Sequence, residues 1–155
     1  MEKDEKDDFD FEKEYEKIKE SYSLPELKGL SEDFEVEKLF EKESDFIIRE
    51  IRRSIIDKIS AYLNLFETLI NPSSPPMFVV TLLRGLEEKD KPLLKEIYKK
   101  LSKIQVRSMS LDIVYNQEKE AEFVKQTFEE WQELKKQIHE IFLNFEENFE
   151  KENGS

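Results

Sequence analysis

Basic side chains recur at every fourth position in one part of this 155-residue chain. Residues four apart lie on the same face of an α-helix, so the spacing predicts a basic ridge that faces solvent. Its members are Lys91, Lys95, Lys99, Lys103 and Arg107, with Lys100 at its flank. Such a ridge would contact phosphates or an acidic protein surface. The alternative is an ordinary solvated helix face, neutralised by the acidic N-terminus.

The residues on which most enzymes depend are scarce in this sequence. His139 is the only histidine, and there is no cysteine. Position 136 is Lys where the Glu-x-x-His motif of a di-iron bundle needs Glu. The sequence also has no Gly-rich phosphate loop and no nucleophile elbow. We therefore expect no catalytic activity, no cofactor and no metal, and we expect His139 to face solvent.

The charge of the chain is strongly uneven. The net charge is −12, yet residues 46–115 carry 12 basic and 8 acidic side chains, net +4. The basic ridge therefore lies in the basic middle of an acidic protein, which as a whole would repel free nucleic acid. A second basic group, Arg49, Arg52 and Arg53, is weaker evidence for a binding surface, because Glu50 and Asp57 can pair with it along the same helix.

The N-terminus and the hydropathy of the chain predict a cytoplasmic protein with no membrane span. The first ten residues, MEKDEKDDFD, are acidic and lack the apolar core of a signal peptide. No apolar run approaches the roughly 18 residues of a membrane helix. Residues 1–8 offer little apolar surface to bury, so we expect them to be disordered.

A short amphipathic helix is predicted directly after this segment. Its apolar positions fall at intervals of four, three and four, at Phe11, Tyr15, Ile18 and Tyr22. The helix either packs on its own domain or folds on a partner, with the aromatic residues as anchors. We therefore divide the chain into an acidic tail, residues 1–24, and a helical bundle domain, residues 25–155.

The bundle domain is predicted from helical periodicity and from cap residues. Pro25 and Gly29 break the chain, and Ser31 caps a short helix. The following helices run from Asp45 to Ile70, from Pro76 to Glu88 with Ser74 as cap, and onward from the cap Asp90. Residues 106–115 alternate apolar and polar, which is a strand period, but a lone strand would have no pairing partner. Helix is therefore favoured there, with an extended segment as the alternative.

Asn116 is expected to cap a long final helix that reaches about Glu152. Its apolar residues recur every three or four positions. The helix centred on residue 100 is too short to cover the aromatic residues near the C-terminus. Uncovered aromatic residues usually mark an interface. We therefore predict a protein interface at Phe142, Phe145 and Phe149.

Together these features predict an all-α fold, a bundle of about five or six helices with a long C-terminal helix and a partly disordered acidic N-terminus. The function that we expect is that of a non-catalytic helical interaction protein, an adaptor or a subunit of a larger assembly. It would bind a protein partner and could form a homo-oligomer. The alternative is an accessory nucleic-acid-associated subunit that contacts phosphates through the basic ridge.

Overall fold

The computed structural model describes residues 9–153, and side chains as far as Lys151. Within these residues the fold is an all-α bundle without strands, as predicted. Six α-helices follow one another: α1 Phe11–Tyr22, α2 Leu27–Phe34, α3 Ile47–Ile70, α4 Met77–Arg84, α5 Lys91–Ile113 and α6 Gln117–Asn153. Two 3₁₀ helices occupy Val36–Leu39 and Glu88–Asp90. The disorder expected for residues 1–8 concerns a segment outside the described residues.

The chain divides into two compact units that are not continuous in sequence. Unit 1 contains the residues up to Lys58 together with Arg107–Phe128. Unit 2 contains Ile59–Val106 and the residues from Glu129 onward. The helices α3, α5 and α6 therefore each contribute residues to both units. The predicted division after residue 24 stays a prediction, and α1 lies within unit 1.

In unit 1 the first helix packs on its own domain through its aromatic residues. Asp10 caps α1 by accepting a hydrogen bond from the backbone N–H of Lys13 at 3.3 Å. Phe11 is buried and stacks on Phe40 with ring centroids 5.1 Å apart. Tyr15 is fully buried, and its hydroxyl donates to the backbone carbonyl of Pro25. This helix was predicted either to pack on its own domain or to fold on a partner. Phe11 and Tyr15 pack on the domain itself.

The second helix begins earlier than predicted. It starts at Leu27, so that Ser31 lies inside it, and it ends at Glu35, which has left-handed backbone angles (φ 55°, ψ 40°). Gly29 does not break the chain. A Cβ at Gly29 would lie 2.9 Å from Cζ of Phe128, so the glycine lets α2 approach the Phe128 ring closely. The left-handed Glu35, whose backbone N–H bonds to the carbonyl of Ser31, is the C-cap of α2.

The third helix buries one apolar stripe along its length. It starts at Ile47, two residues after the expected position, and Ser44 accepts a hydrogen bond from the N–H of Phe46 at 3.0 Å. The stripe is apolar at intervals of three and four, which is why this segment is a helix that buries one face. Its buried members are Ile48, Ile51, Ile55, Ile59, Phe66 and Leu69.

Unit 2 opens with the short helix α4, for which the predicted cap was wrong. Ser74 has a positive φ of 49°, and Pro76 occupies the cap position instead. The helix ends at Arg84, before the predicted end at Glu88, because the N–H groups of Gly85 and Leu86 bond back to Leu82 and Leu83 in tighter turns. Only Val79 of α4 is buried, and the exposed apolar residues Met77 and Phe78 stand at its start.

An aromatic cluster forms much of the core of unit 2. Tyr62 of α3 lies 5.8 Å from Trp131 of α6, measured between ring centroids. Phe66 stacks on Phe142 at 6.4 Å, and Phe142 stacks on Phe145 at the same distance. The second half of α6 is therefore held by α3. No helix in the described part of the chain is long and apolar enough to cross a membrane.

The ambiguous segment before the final helix is helical. α5 continues to Ile113, and Asn116 then caps α6 as predicted, accepting from the N–H of Lys119 at 3.0 Å. The alternation seen in the sequence arises because this part of α5 is apolar on two faces. Leu111 is 8% exposed on the inner face, whereas Met109 and Ile113 point outward.

Candidate interaction surfaces

The candidate functional features of this chain are surfaces, a side-chain network and a cavity. Within residues 9–153, no group of three or more His, Asp and Glu side chains could hold a metal ion. His139 lies exposed on α6. The features that depart from an ordinary helical surface are one apolar patch, one buried ionic network, the basic ridge and a cavity lined by aliphatic side chains and lysines.

The apolar surface of unit 1 lies around the C-terminal end of α5. It comprises Phe46, Met109, Ile113, Val114 and Tyr115, which are 47%, 57%, 82%, 68% and 36% exposed. Met109 and Ile113 are neighbours four positions apart on α5. Phe46 meets Tyr115 edge to face, with ring centroids 4.8 Å apart. Exposed apolar side chains that lie close together are typical of an interaction site. Here one pair is in ring contact, and the other is a pair of neighbours on one helix face.

Charged groups border this surface at Tyr115. The guanidinium carbon of Arg49 lies 5.8 Å from the centroid of the Tyr115 ring, a cation–π contact. Burial raises the pKa of Tyr115; the charges of Glu120 and Tyr22 raise it further, and Arg49 opposes them. The phenol therefore stays neutral at physiological pH, and its ring remains available as an apolar contact.

A buried ionic network fixes the helix end that carries the apolar surface. Arg52 of α3 is 1% exposed, and its Nε donates to Oε2 of Glu120, which is 0% exposed. Its Nη1 donates to Oγ of Ser108 at 2.7 Å, and its Nη2 donates to Oδ1 of Asp112 at 2.7 Å. Ser108 and Asp112 are one turn apart on α5. The next residue after each, Met109 and Ile113, is thereby held on the outward side.

The electrostatics of the network favour the charged form of Arg52. Burial by itself would lower the pKa of Arg52, but hydrogen bonds and charge from Glu120 and Asp112 outweigh it, so the pKa is raised. Glu120 lies in the first turns of α6, where the helix dipole favours a negative charge. Its second oxygen, Oε1, is buried without a hydrogen-bond partner in the described residues. The pair is thus tightly held but incompletely satisfied.

Sequence reasoning missed this network. It treated Arg49, Arg52 and Arg53 as one group that pairs along its own helix. Arg53 does so, with Nη1 3.5 Å from Oε1 of Glu50. Arg52 instead reaches two other helices. The signal was present in the sequence, because Arg52 lies four positions after Ile48 and three before Ile55, on the buried stripe.

The basic ridge is only partly a free cationic surface. Lys91, Lys95, Lys99 and Lys103 are exposed. Lys91 pairs with Glu88 at 2.7 Å, while Lys100 is half-buried and lies 3.2 Å from Glu96. Arg107 is also half-buried, with its guanidinium carbon 6.0 Å from the centroid of the Phe123 ring. Within residues 9–151, Lys95, Lys99 and Lys103 form no ion pair.

Acidic residues of α6 border the ridge in unit 2. Lys100 and Lys103 line a surface cavity of about 260 Å³ together with Glu130, Glu133 and Leu134. Carboxylates this close to lysines reduce the attraction of the ridge for phosphates. In the N-terminal half of the ridge, Lys91 pairs with Glu88, whereas Lys95 forms no ion pair within residues 9–151.

That N-terminal half lines part of a second cavity, whose lining is both polar and apolar. The cavity has a volume of about 230 Å³. Aliphatic side chains of α3, of α5 and of the segment before α5 form its apolar part, and two lysines form its polar part. The lining consists of Leu69, Ile70, Leu86, Lys91, Leu94 and Lys95. Aliphatic walls with lysines among them suit an apolar group that has acidic neighbours.

The structure separates the residues predicted to form a protein interface. Phe145 is 7% exposed and Phe142 is half-buried, both within the aromatic cluster of unit 2. The prediction assumed that no helix covers these aromatic residues. That assumption was wrong, because Phe66 of α3 stacks on Phe142. Phe149 is 51% exposed. In α1, Ile18 and Tyr22 are half-buried, whereas Phe11 and Tyr15 belong to the core.

Comparison with known proteins does not assign this chain to a family. No family model, curated protein or solved structure matches it. The function therefore has to be inferred from the surfaces described above.

Proposed function

We propose that this chain is a cytoplasmic, non-catalytic helical interaction protein, an adaptor or a subunit of a larger assembly. Its protein partner would bind the apolar surface of unit 1. The observation that supports this proposal is the exposure of three apolar side chains at the C-terminal end of α5. Met109 is 57% exposed, Ile113 82% and Val114 68%. Isolated exposed apolar residues are ordinary, but adjoining ones are characteristic of binding surfaces.

The energetics fit a binding role. Full burial of a Val, Ile or Met side chain contributes roughly 1.5–3 kcal/mol. Three such residues would thus supply enough to offset part of the cost of association, with Phe46 and Tyr115 adding aromatic contacts. The buried ionic network around Arg52 holds the C-terminal end of α5 in place before binding. A preformed surface loses less conformational entropy when a partner docks.

The test replaces the two outermost residues of the surface. Met109→Gln with Ile113→Gln keeps helix propensity while removing the apolar contact. The partner is first identified by quantitative affinity capture, and its binding is then measured with purified proteins by calorimetry. We expect the double variant to bind at least about 100-fold more weakly, since it loses roughly 3 kcal/mol or more of burial.

A matched control sharpens this test. Leu143 is 46% exposed on α6, in unit 2, and Leu143→Gln should leave the affinity unchanged. Equal affinity of wild type and the Met109/Ile113 variant for every captured partner would refute the assignment of this surface.

The alternative function is that of an accessory nucleic-acid-associated subunit. The observation that favours it is the exposure of Lys95, Lys99 and Lys103 along one face of α5 without ion pairs among the described residues. Contacts with three phosphates would give a log–log salt slope of roughly −2 to −3. Lys95→Glu with Lys99→Glu and Lys103→Glu should abolish such binding while the helix stays folded.

The protein partner is the better supported of the two. Glu130 and Glu133 lie beside Lys100 and Lys103, and the whole chain carries a net charge of −12. Both would oppose the approach of a polyanion. Absence of binding to single- and double-stranded oligonucleotides at low salt would leave the protein-interaction function alone.

A further inference from the structure

Unit 2 has a cavity with aliphatic walls and two lysines in its lining that no part of the proposed function uses. Four aliphatic side chains line the cavity together with Lys91 and Lys95. Its volume is about 230 Å³. A cavity of about 150 Å³ is known to hold a benzene molecule, so this one has room for a single aromatic side chain. Lys91 already pairs with Glu88 at 2.7 Å, whereas Lys95 forms no ion pair within residues 9–151, so Lys95 above all would select an aromatic residue that has carboxylates beside it.

The same unit displays an aromatic residue of that description. Phe149, near the C-terminal end of α6, is 51% exposed. Glu146, Glu147 and Glu150 surround it in sequence, and all three are exposed. Glu146 and Glu150 are four apart and therefore share one face of the helix. The end of α6 thus presents an apolar anchor with negative charges, the complement of the cavity.

Two side chains of α6 bring these complementary features to one end of unit 2. The amide of Asn148 donates to the backbone carbonyl of Gly85, the neighbour of Leu86 in the cavity wall. The amide of Asn144 lies 3.3 Å from Oδ1 of Asp90, the neighbour of Lys91. The anchor and the cavity therefore belong to one surface, and Phe149 remains half-exposed there rather than filling the cavity of its own copy.

We propose that two copies of the chain pair through this surface. Phe149 of each copy enters the cavity of the other, and the glutamates beside it face Lys91 and Lys95 of that copy. A twofold axis makes each contact occur twice, as an isologous interface requires. The apolar surface of unit 1 takes no part and stays free for a different partner, so this pairing does not depend on the proposed function.

The charge arrangement allows a decisive exchange experiment. One variant carries Lys91→Glu and Lys95→Glu, and a second carries Glu146→Lys and Glu150→Lys. In a dimer of the first variant, the glutamates beside Phe149 of one copy face glutamates at the cavity of the other copy. In a dimer of the second variant, lysines face lysines in the same way. An equal mixture restores both opposite-charge contacts. Sedimentation velocity should show a wild-type dimer, a predominantly monomeric state of each variant alone, and a dimer in the mixture.

The anchor is tested separately with a matched residue. Phe149→Ser should weaken dimerisation at least tenfold, measured by the concentration dependence of sedimentation. Phe78→Ser removes a phenylalanine that is 69% exposed on α4 in the same unit, and it should leave the dimer intact. Circular dichroism of every variant establishes that the helices are retained.

Three results would overturn the pairing. The first is a wild-type protein that remains monomeric up to millimolar concentration. The second is a dimer that survives both charge variants and Phe149→Ser. The third is a dimer that Phe78→Ser or the Met109/Ile113 variant dissociates while Phe149→Ser does not. The last would move self-association to another surface, and it is distinguishable from failure of the proposed function, which concerns binding of a different protein to unit 1.

Discussion

Arg52 and Glu120 are 68 positions apart in the sequence, and Nε of Arg52 donates a hydrogen bond to Oε2 of Glu120 where both side chains are excluded from solvent. Removing two charges from water costs several kcal/mol per ion, and their attraction offsets this only with good geometry and further hydrogen bonds. Ser108 and Asp112 provide those further bonds. The network thereby fixes how α3, α5 and α6 meet in unit 1.

Breaking this pair from one side should be strongly destabilising. Arg52→Met or Glu120→Gln leaves the other charge buried without its partner, and we expect a loss of about 3–5 kcal/mol in the free energy of unfolding. Urea denaturation followed by circular dichroism measures it. The control is Arg53→Met, whose exposed pair with Glu50 should contribute no more than about 1 kcal/mol. Equal effects at positions 52 and 53 would contradict the buried network.

The two described glycines at helix contacts should respond differently to alanine. A Cβ at Gly85 would lie 2.8 Å from Cβ of Asn148, an atom fixed to the backbone of α6. Gly85→Ala should therefore destabilise by about 1–3 kcal/mol. At Gly29 the new atom would meet the tip of the Phe128 ring at 2.9 Å, which can move. Gly29→Ala should cost less, because alanine also favours the helix by about 1 kcal/mol. Thermal melts of both variants test the order.

The two faces of the last turns of α5 should separate in a stability measurement. Leu111→Ala removes a buried side chain and should cost about 2–5 kcal/mol. The Met109→Gln/Ile113→Gln variant changes only exposed positions and should stay within about 0.5 kcal/mol of wild type. The measurement is the denaturant midpoint of each variant, which reports a change in stability when the m-value is unchanged. A large loss for the double variant would mean that the outward face packs within the monomer.

Alkaline pH should destabilise the fold through Tyr15. Burial raises its pKa above the usual value of 10.0, and the charges of Glu16 and Glu26 raise it further. Above that value the unfolded chain releases the phenol proton while the folded state keeps it, so stability is complete below pH 10 and falls as the pH rises further. Melting temperatures from neutral pH to about pH 11 should fall less steeply in Tyr15→Phe than in wild type. If the melting temperatures of wild type and Tyr15→Phe fell equally steeply with pH, Tyr15 would make no contribution to the loss of stability.

The helical class and most helix ends could be predicted because they depend on local chemistry. Asn116 caps α6 by a hydrogen bond three residues away, and the buried stripe of α3 follows from its periodicity alone. The predictions for Ser31 and Ser74 failed although both are good cap residues. α2 begins at Leu27, before Ser31, and α4 has Pro76 at its cap position.

The surfaces were less predictable, because periodicity locates an apolar face without showing what covers it. Phe142 was expected to be uncovered, although Phe66 lies against it from a helix more than seventy positions earlier. Conversely, residues 106–115 alternate apolar and polar as in a strand, although helix was favoured there, because two apolar faces on one helix imitate alternation. In the basic ridge, Lys91, Lys95, Lys99 and Lys103 are exposed, as their periodicity predicts, whereas Lys100 and Arg107 are half-buried.

The discontinuity of unit 1 has a consequence for how the protein emerges from the ribosome. The stretch up to Lys58 cannot complete its unit until Arg107–Phe128 has been made. Arg52 cannot bind Glu120 until 68 further residues have been synthesised, and their synthesis takes roughly 3–14 s at typical rates. During that interval the residues around Ile51 and Ile55, which are buried in the folded chain, lack the part of the chain that completes their unit. A nascent chain halted before Glu120 should therefore engage chaperones, whereas one extended past Phe128 should be released from them.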